Sequence, residues 1–573
     1  MSSSYSSLSK IDVLFADIFA DWSALSTVIA SLIATFLGYK LIFSKDPDAH
    51  PFFLARQAAR APIRLPGESA VLRAHDVPHG YPLKTGLNVK DPDKPKWTAG
   101  RDGDLRDIWR VALRGSLASD GTPAGKQGKF YTVLGKNVEE HKLDDISQEI
   151  NIIGQYIYES KSRTVAIYLP DSVESLTAIF AGAFYGFKVV LIPRMVPSER
   201  LGAYLAVAGA DLLIAEAGTL EPSALLRAVP SLKSAIWVAN HGSQHMDWSQ
   251  VPEGIGGDIE VAVWHELVKD KKSLVGTEVP ATISNTPPPP SSLSGPRQPT
   301  LETLSSIHLR FTYFVALVAG IAGLGSVLPR GQHLTSSDLV LSIDSMARSY
   351  PFCIILAALY VNASVAFNSV SGEHVDFALA TAGIDPTIII ASSETMQKYH
   401  TKEMVPQMGL VAKFGRFLQR RSLDAGTMPI QNIFTRLASM GPTAELSLRN
   451  LRLLCISHRI DAKPEYQLTS DQLTDLRVFI GARVLYALTA PTVVGAVCQM
   501  NVFDYRTLPG RSHFGAPLNN VEIKLVYDKE EDANKDGGPV DGKIFVAGPA
   551  VIGGQRFLQA RGYFNDDCTL SLS

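Results

Sequence analysis

Apolar positions in this chain fall into one uninterrupted run followed by two recurring rhythms. No charged residue occurs between Trp22 and Tyr39, and Leu41, Ile42 and Phe43 carry the run past Lys40. About 20 residues at a rise of about 1.5 Å cross a hydrocarbon core of about 30 Å, and a lysine near the end snorkels, so residues 22–43 are expected to be a membrane anchor. A cleaved signal peptide wants a basic leader, whereas Asp12, Asp17 and Asp21 precede this run with Lys10 alone, which ranks the anchor first. Lys40, Lys45, Arg56, Arg60 and Arg64 follow it, and the positive-inside bias places the main body on the cytosolic side. The run is rich in Ser, Thr and Ala, which leaves a helix lying in the interface as the alternative. A second uncharged stretch, Phe311 to Leu328 with Gly320, Gly323 and Gly325, reads as a core helix because α/β patterns flank it.

From Thr164 to Glu216 short β-branched runs alternate with apolar-periodic ones. Strands are expected at 165–169, 188–192 and 211–215 and helices at 173–185 and 198–208, the βαβ pattern of a parallel sheet. The rhythm returns with strands at 339–343, 364–367 and 387–391, helices at 352–360 and 374–382, and a further unit at 451–456, 470–479 and 483–486. After Gly515 short β runs at 521–526 and 543–546 flank an Asp/Gly/Pro stretch. The expected fold class is therefore α/β: two parallel-sheet subdomains and a small β subdomain, preceded by one transmembrane helix. Its divisions are a tail (1–21), the anchor (22–43), a loop-rich collar (46–130) and a first α/β subdomain (131–276). A Pro/Ser-rich linker (277–303) carrying Pro287 to Pro290, a second α/β subdomain (304–509) and the β subdomain (510–573) complete them.

Composition narrows the classes. With 573 residues, 46% of them hydrophobic, a disordered or fibrous chain is excluded. Basic and acidic residues number 54 and 56, a formal charge of −2, so no whole-molecule field attracts nucleic acid. Cys353, Cys455, Cys498 and Cys568 lie far apart, which makes neither a zinc site nor a secreted disulfide framework and leaves them as buried apolar residues.

Local wording adds a resemblance. Val165-Ala-Ile-Tyr-Leu-Pro-Asp-Ser172, Tyr486-Ala-Leu-Thr489-Ala490, His513-Phe-Gly-Ala-Pro517 and Gly542-Lys-Ile-Phe-Val-Ala-Gly-Pro549 stand in that order. They resemble the first strand and helix, the Tyr-Gly-x-Thr-Glu motif and the β subdomain of the adenylate-forming (AMP-binding) superfamily, in particular membrane-anchored long-chain acyl-CoA synthetases. The resemblance covers about residues 130 to 570. It implies ATP-dependent acyl-CoA ligation, with ATP/AMP and Mg²⁺ as cofactors if that activity is retained, and it places Tyr486 and Thr489 at the adenine and phosphate edge.

Several parts that such chemistry needs are missing. Carboxylate attack on the α-phosphate develops charge that backbone N–H groups, a lysine and Mg²⁺ must meet. The family's Thr-Ser-Gly-Thr-Thr-Gly-x-Pro-Lys-Gly loop is expected just before Phe311, yet the residues are Leu304-Ser-Ser-Ile-His-Leu-Arg-Phe311, without glycine or lysine. Gly121-Thr-Pro-Ala-Gly125-Lys126 is one residue short of a P-loop and reads as a flexible loop. Ala490 stands where the family has its magnesium glutamate, and a methyl group ligates nothing. Ser457-His458-Arg459 replaces a glycine-rich turn; with no nucleophile elbow beside it, His458 is expected at the surface. Asp566 and Asp567 are expected to be solvated. By the same resemblance, residues 1–573 are expected to stop short of the family's ribose-binding aspartate and its mobile C-terminal lid.

No catalytic residue and no metal ligand are therefore assigned. The expected function is a catalytically degenerate acyl-CoA synthetase-like protein of an intracellular membrane, first the endoplasmic reticulum, single-pass with a cytosolic body. Its expected partners are the membrane and, at most, fatty acid, acyl-CoA or nucleotide, with no nucleic acid. An active long-chain fatty acid–CoA ligase with an incomplete gene model is one alternative, against which Ala490 weighs; a membrane scaffold without ligand is the other.

Overall fold

Strands buried on both faces read as continuous apolar runs, and two parallel sheets form from such runs. The computed structural model describes residues 23–43, 46–90, 95, 97–116, 125–135, 137–194, 196–220, 229, 231–239, 259–280, 308–309, 311–372, 375–404, 410–429, 448–528 and 540–573. Within them the first sheet orders His308–Leu309, Lys188–Leu191, Thr164–Tyr168, Leu212–Glu216, Ser234–Val238 and Glu260–Val263, all parallel except the first. Ser172 caps the helix Val173–Tyr185 by accepting from the Ser175 N–H, and Gly186 closes it in the left-handed conformation.

The second sheet has nine strands, in the order Ala516–Pro517, Val493–Gln499, Arg483–Ala490, Leu453–Arg459, Ile388–Ser392, Leu339–Ser342, Ser364–Asn368, Phe130–Leu134 and Asn137–His141. The six from Arg483–Ala490 to Phe130–Leu134 run parallel. Phe130–Leu134 and Asn137–His141 thus join this later sheet although they precede the first one in the chain. The helix Phe311–Ser326 packs against Val493–Gln499 as the expected core helix, and its glycines explain the closeness. A Cβ on Gly320 would lie 2.8 Å from the Val494 carbonyl oxygen, and one on Gly323 would overlap the Asn520 amide. Of the segment 374–382, expected as a full helix, the described residues 375–382 hold only the four-residue helix Phe377–Ala380. The four cysteines are buried and unpaired, as their spacing suggests.

The third sheet is antiparallel: Ala58–Arg60, Leu72–Ala74, Glu522–Val526, Gly542–Ala547, Gln555–Phe564 and Leu570–Leu572. Two of its strands come from the collar. That segment is therefore a strap rather than loose loops: Ile523 pairs with Leu72, Arg73 with Glu522 at 2.6 Å, and Lys524 with Glu68 at 2.6 Å. Farther back Asp48 accepts from the Tyr505 hydroxyl at 2.7 Å and from Arg483 at 3.0 Å.

The leading apolar run forms the helix Ala24–Phe43, with Leu25, Val28, Ile29, Leu32 and Ile33 exposed. Among the described residues no helix is long and apolar enough to cross a membrane, so the expected single span gains no support here. The tail 1–21, the side chains of residues 36–43 and most of the linker lie outside the described residues.

Candidate functional site

In a parallel sheet the loops leaving the carboxyl ends of the strands share one edge, where ligand crevices form. Four adjacent strands of the nine-stranded sheet deliver buried side chains to that edge. Asp344 follows Leu339–Ser342, Ser393 follows Ile388–Ser392, Ser457 and His458 end Leu453–Arg459, and Thr489 and Ala490 end Arg483–Ala490. Ser457 Oγ donates to Asp344 Oδ2 at 3.1 Å and Arg348 donates to Asp344 Oδ1 at 2.8 Å. The Ser393 hydroxyl pairs with His458 Nδ1 at 2.9 Å, and Thr489 Oγ1 donates to the His458 carbonyl at 3.1 Å. Asp171, from the first sheet, takes the Met346 N–H between its two oxygens, each at 3.0 Å.

Burial controls the charges. The Asp171 carboxyl is pushed up to about 8 by burial, with the Asp344 charge adding to the effect. His458 is pushed down to about 4, again by burial first, with Arg511 and Arg459 pushing the same way and Asp461 opposing. With its pKa held that low His458 is a weak proton acceptor, and its contact with Ser393 is read as a buried hydrogen bond.

The two residues singled out from the sequence meet at this edge and are closed in. Tyr486 has no exposed surface: its hydroxyl accepts the Leu468 N–H at 3.0 Å and its ring stacks on Phe514 with centroids 4.8 Å apart. The His458 ring stacks on Phe514 at 5.5 Å, which corrects its expected surface position. Gly515, at φ +79° and tight against the Gln499 carbonyl, holds Phe514 in place, because any Cβ there would overlap that carbonyl. Thr489 spends its hydroxyl on the backbone. The residues here do not fit an ATP–magnesium complex: the aromatic face is covered, and buried Ala490 offers no oxygen. The glycine-rich look-alike 121–126 and the stretch 304–311 fall largely outside the described residues.

A second polar cluster lies beneath the strap. Asp504, His513 and Asp567 bring three potential ligand atoms within 4.8 Å. Arg506 takes the place of a cation there, donating to Asp504 and Asp567 at 2.6 Å each, while Gln57 donates to Asp504 at 2.6 Å. His513 Nδ1 accepts the Gly515 N–H at 3.0 Å, which leaves Nε2 to face Asp504 at 3.4 Å. Despite its burial, hydrogen bonds from Arg506 and His513 hold Asp504 far below the usual carboxylate range. Asp567 is thus buried in an ion network, contrary to expectation, while Asp566 remains exposed.

Asp344 and Ser393 escaped the sequence reading, and Ser457 entered it only as part of the stretch Ser457-His458-Arg459. Each sits at or just past the end of an apolar strand, and a small polar residue or acid in that position was the available signal.

No family model matches the chain. An uncharacterized protein of Saccharomyces cerevisiae is 22% identical over 543 residues, 88% of this chain and 87% of that one. Among solved structures, an anthranilate CoA ligase in complex with anthranoyl-AMP has a TM-score of 0.54 at 13% identity, covering 84% of this chain and 79% of its own. A long-chain-fatty-acid–CoA ligase of Archaeoglobus fulgidus has a TM-score of 0.53 at 12% identity, covering 86% of each. A benzoate CoA ligase of Burkholderia xenovorans has a TM-score of 0.51 at 9% identity, covering 82% of this chain and 79% of its own.

Proposed function

We propose that this chain, which has the fold of the adenylate-forming superfamily, is a catalytically degenerate acyl-CoA synthetase-like protein. It is held at an intracellular membrane, first the endoplasmic reticulum, by the helix Ala24–Phe43. Its body faces the cytosol and keeps at most acyl or nucleotide binding in lipid metabolism. The observation that carries the degeneracy is Tyr486: a purine stacks on an aromatic face only where that face is open, and this ring has no exposed surface beneath Phe514. Ala490 supports it, because a methyl group gives Mg²⁺ no ligand. Loss of a single preorganised charge-stabilising donor already costs an acyl-transfer site about 3 kcal/mol, and here the metal carboxylate and the aromatic platform are lost together. Anchoring is supported by the charge-free run from Trp22 to Tyr39 and by the exposure of Leu25, Ile29 and Leu32.

The test is full-length protein incubated with ATP, Mg²⁺, CoA and a long-chain fatty acid, beside equilibrium binding of a non-hydrolysable acyl-AMP analogue. The expected result is no acyl-CoA. Binding of the analogue without turnover favours a retained cleft, whereas no binding favours the scaffold reading. Acyl-CoA formation overturns the proposal.

A further inference from the structure

We infer that the body stands on the bilayer in one orientation: the amino edge of the nine-stranded sheet faces the lipid, and the carboxyl edge with Asp344, Ser393 and His458 points away from it. The inference rests on the anchoring reading above. The helix Ala24–Phe43 leaves Leu25, Val28, Ile29, Leu32 and Ile33 exposed, so those side chains are not spent on the body. Five residues beyond its end, Asp48 is fixed to the body by three bonds. Its N–H donates to the Gly426 carbonyl at 2.8 Å, and its carboxylate accepts from the Tyr505 hydroxyl at 2.7 Å and from Arg483 at 3.0 Å. Gly426 has φ +78°, and a Cβ there would lie 3.0 Å from the Pro47 Cβ, so the chain is seated closely on that turn. The next fixed point, Gln57, donates to Asp504, the residue before Tyr505, at 2.6 Å. The leash from the anchor therefore has one root on the body.

That root lies at the amino edge of the sheet. Arg483 opens the strand Arg483–Ala490, which runs parallel to Leu453–Arg459. Ala490, at its other end, lies about 23 Å away at about 3.3 Å per residue. The chain from Phe43 to Asp48 reaches at most about 18 Å at about 3.5 Å per residue. A folded chain of this length has a radius of gyration of about 25 Å, so the body cannot turn over on so short a leash. Phe52, four residues past the root in a helix that buries none of its side chains, is 83% exposed and gains by leaving water at the leaflet surface. A contact set by leash length needs no lipid charge, and uncharged phosphatidylcholine suffices. Any ligand of the carboxyl edge then arrives through water and not sideways from the leaflet.

The experiment attaches one fluorophore to full-length protein in phosphatidylcholine vesicles that carry nitroxide headgroups. The four native cysteines are buried, so Asp424→Cys and Lys463→Cys each supply one reactive site. Asp424 is exposed two residues from Gly426, and exposed Lys463 follows Arg459, which pairs with Thr489 at the carboxyl edge. Quenching is expected to be several-fold stronger at position 424 than at position 463. A label at Leu32→Cys should be quenched by nitroxides on the acyl chains. Equal quenching at 424 and 463, or stronger quenching at 463, with position 32 quenched, overturns the inference and leaves the anchor standing. An unquenched position 32 overturns the anchoring reading, and this inference with it. Shielding of the label at 424 from aqueous iodide that arises without lipid and grows with protein concentration marks a second copy on this face and also overturns the inference.

Discussion

Two buried clusters in this protein hold carboxylates in opposite ways. Beneath the strap, Asp504 is gripped by Arg506, Gln57 and His513, and its carboxyl stays ionised far into acid. At the carboxyl edge of the sheets, buried Asp171 has the Met346 N–H, the Ser345 hydroxyl and the carboxylate of Asp344 as neighbours, and burial pushes its carboxyl up to about 8. The difference is the presence of a cation at hydrogen-bond distance, since both groups are buried. The first cluster ties the collar residue Gln57 and the C-terminal Asp567 to the body and is built for cohesion. The second lies at the carboxyl edge of a parallel sheet, where ligand crevices form in such folds, and in this chain its polar groups are spent on one another.

The largest expected effect comes from breaking the paired cluster. Arg506→Met leaves Asp504 buried without its guanidinium and should cost about 3–5 kcal/mol in denaturant unfolding. The loss should shrink in acid as the stranded carboxyl takes up a proton. A denaturation midpoint unchanged at pH 7 would show that the network does not hold the strap.

Asp171→Asn acts in the opposite direction. Because the folded pKa lies above that of the free side chain, the native state keeps a proton that the unfolded chain releases. Stability contributed by Asp171 is therefore full below about pH 4 and falls as pH rises towards about 8. The amide removes this slope and should stabilise the protein at pH 8 by about 1 kcal/mol or more, with little change near pH 4. A melting profile that keeps its slope would contradict the assignment.

His458→Gln tests the other limb. With a folded pKa of about 4, the unfolded chain takes up the proton first, so stability present above about pH 6.5 is lost as pH falls through the folded value. The variant should lose the Ser393 bond, about 1 kcal/mol at pH 7, and show a flatter acid limb. The smallest expected effect is on chemistry: Ala490→Glu places a carboxylate at the edge, yet no ATP-dependent ligation is expected, because Phe514 still covers Tyr486.

Much of the parallel framework was legible because its strands are unbroken apolar runs and its helices carry their own caps. The helix Val173–Tyr185 matches the expected range from end to end, and Ser470–Ile480 begins at the Thr469–Gln472 capping box. The antiparallel edges were not. Leu72–Ala74 and Ala58–Arg60 are three residues long, too short for a period; Leu72–Ala74 reaches its sheet through Ile523, more than four hundred residues away, and Ala58–Arg60 joins only by pairing with Leu72–Ala74. Of the site, Tyr486 and Thr489 were found by resemblance, but their closure could not be read, because Phe514 and His458 cover them from other segments of the chain. Asp567 reads as a solvated tail acid until Arg506 is seen 2.6 Å away.

Release of pyrophosphate by the full-length chain supplied with ATP, magnesium and a long-chain fatty acid is the most direct measurement. A covered Tyr486 and a methyl group at position 490 predict a rate no greater than that of the same mixture without protein. Pyrophosphate accumulating in proportion to protein and dependent on the fatty acid would contradict the closed crevice.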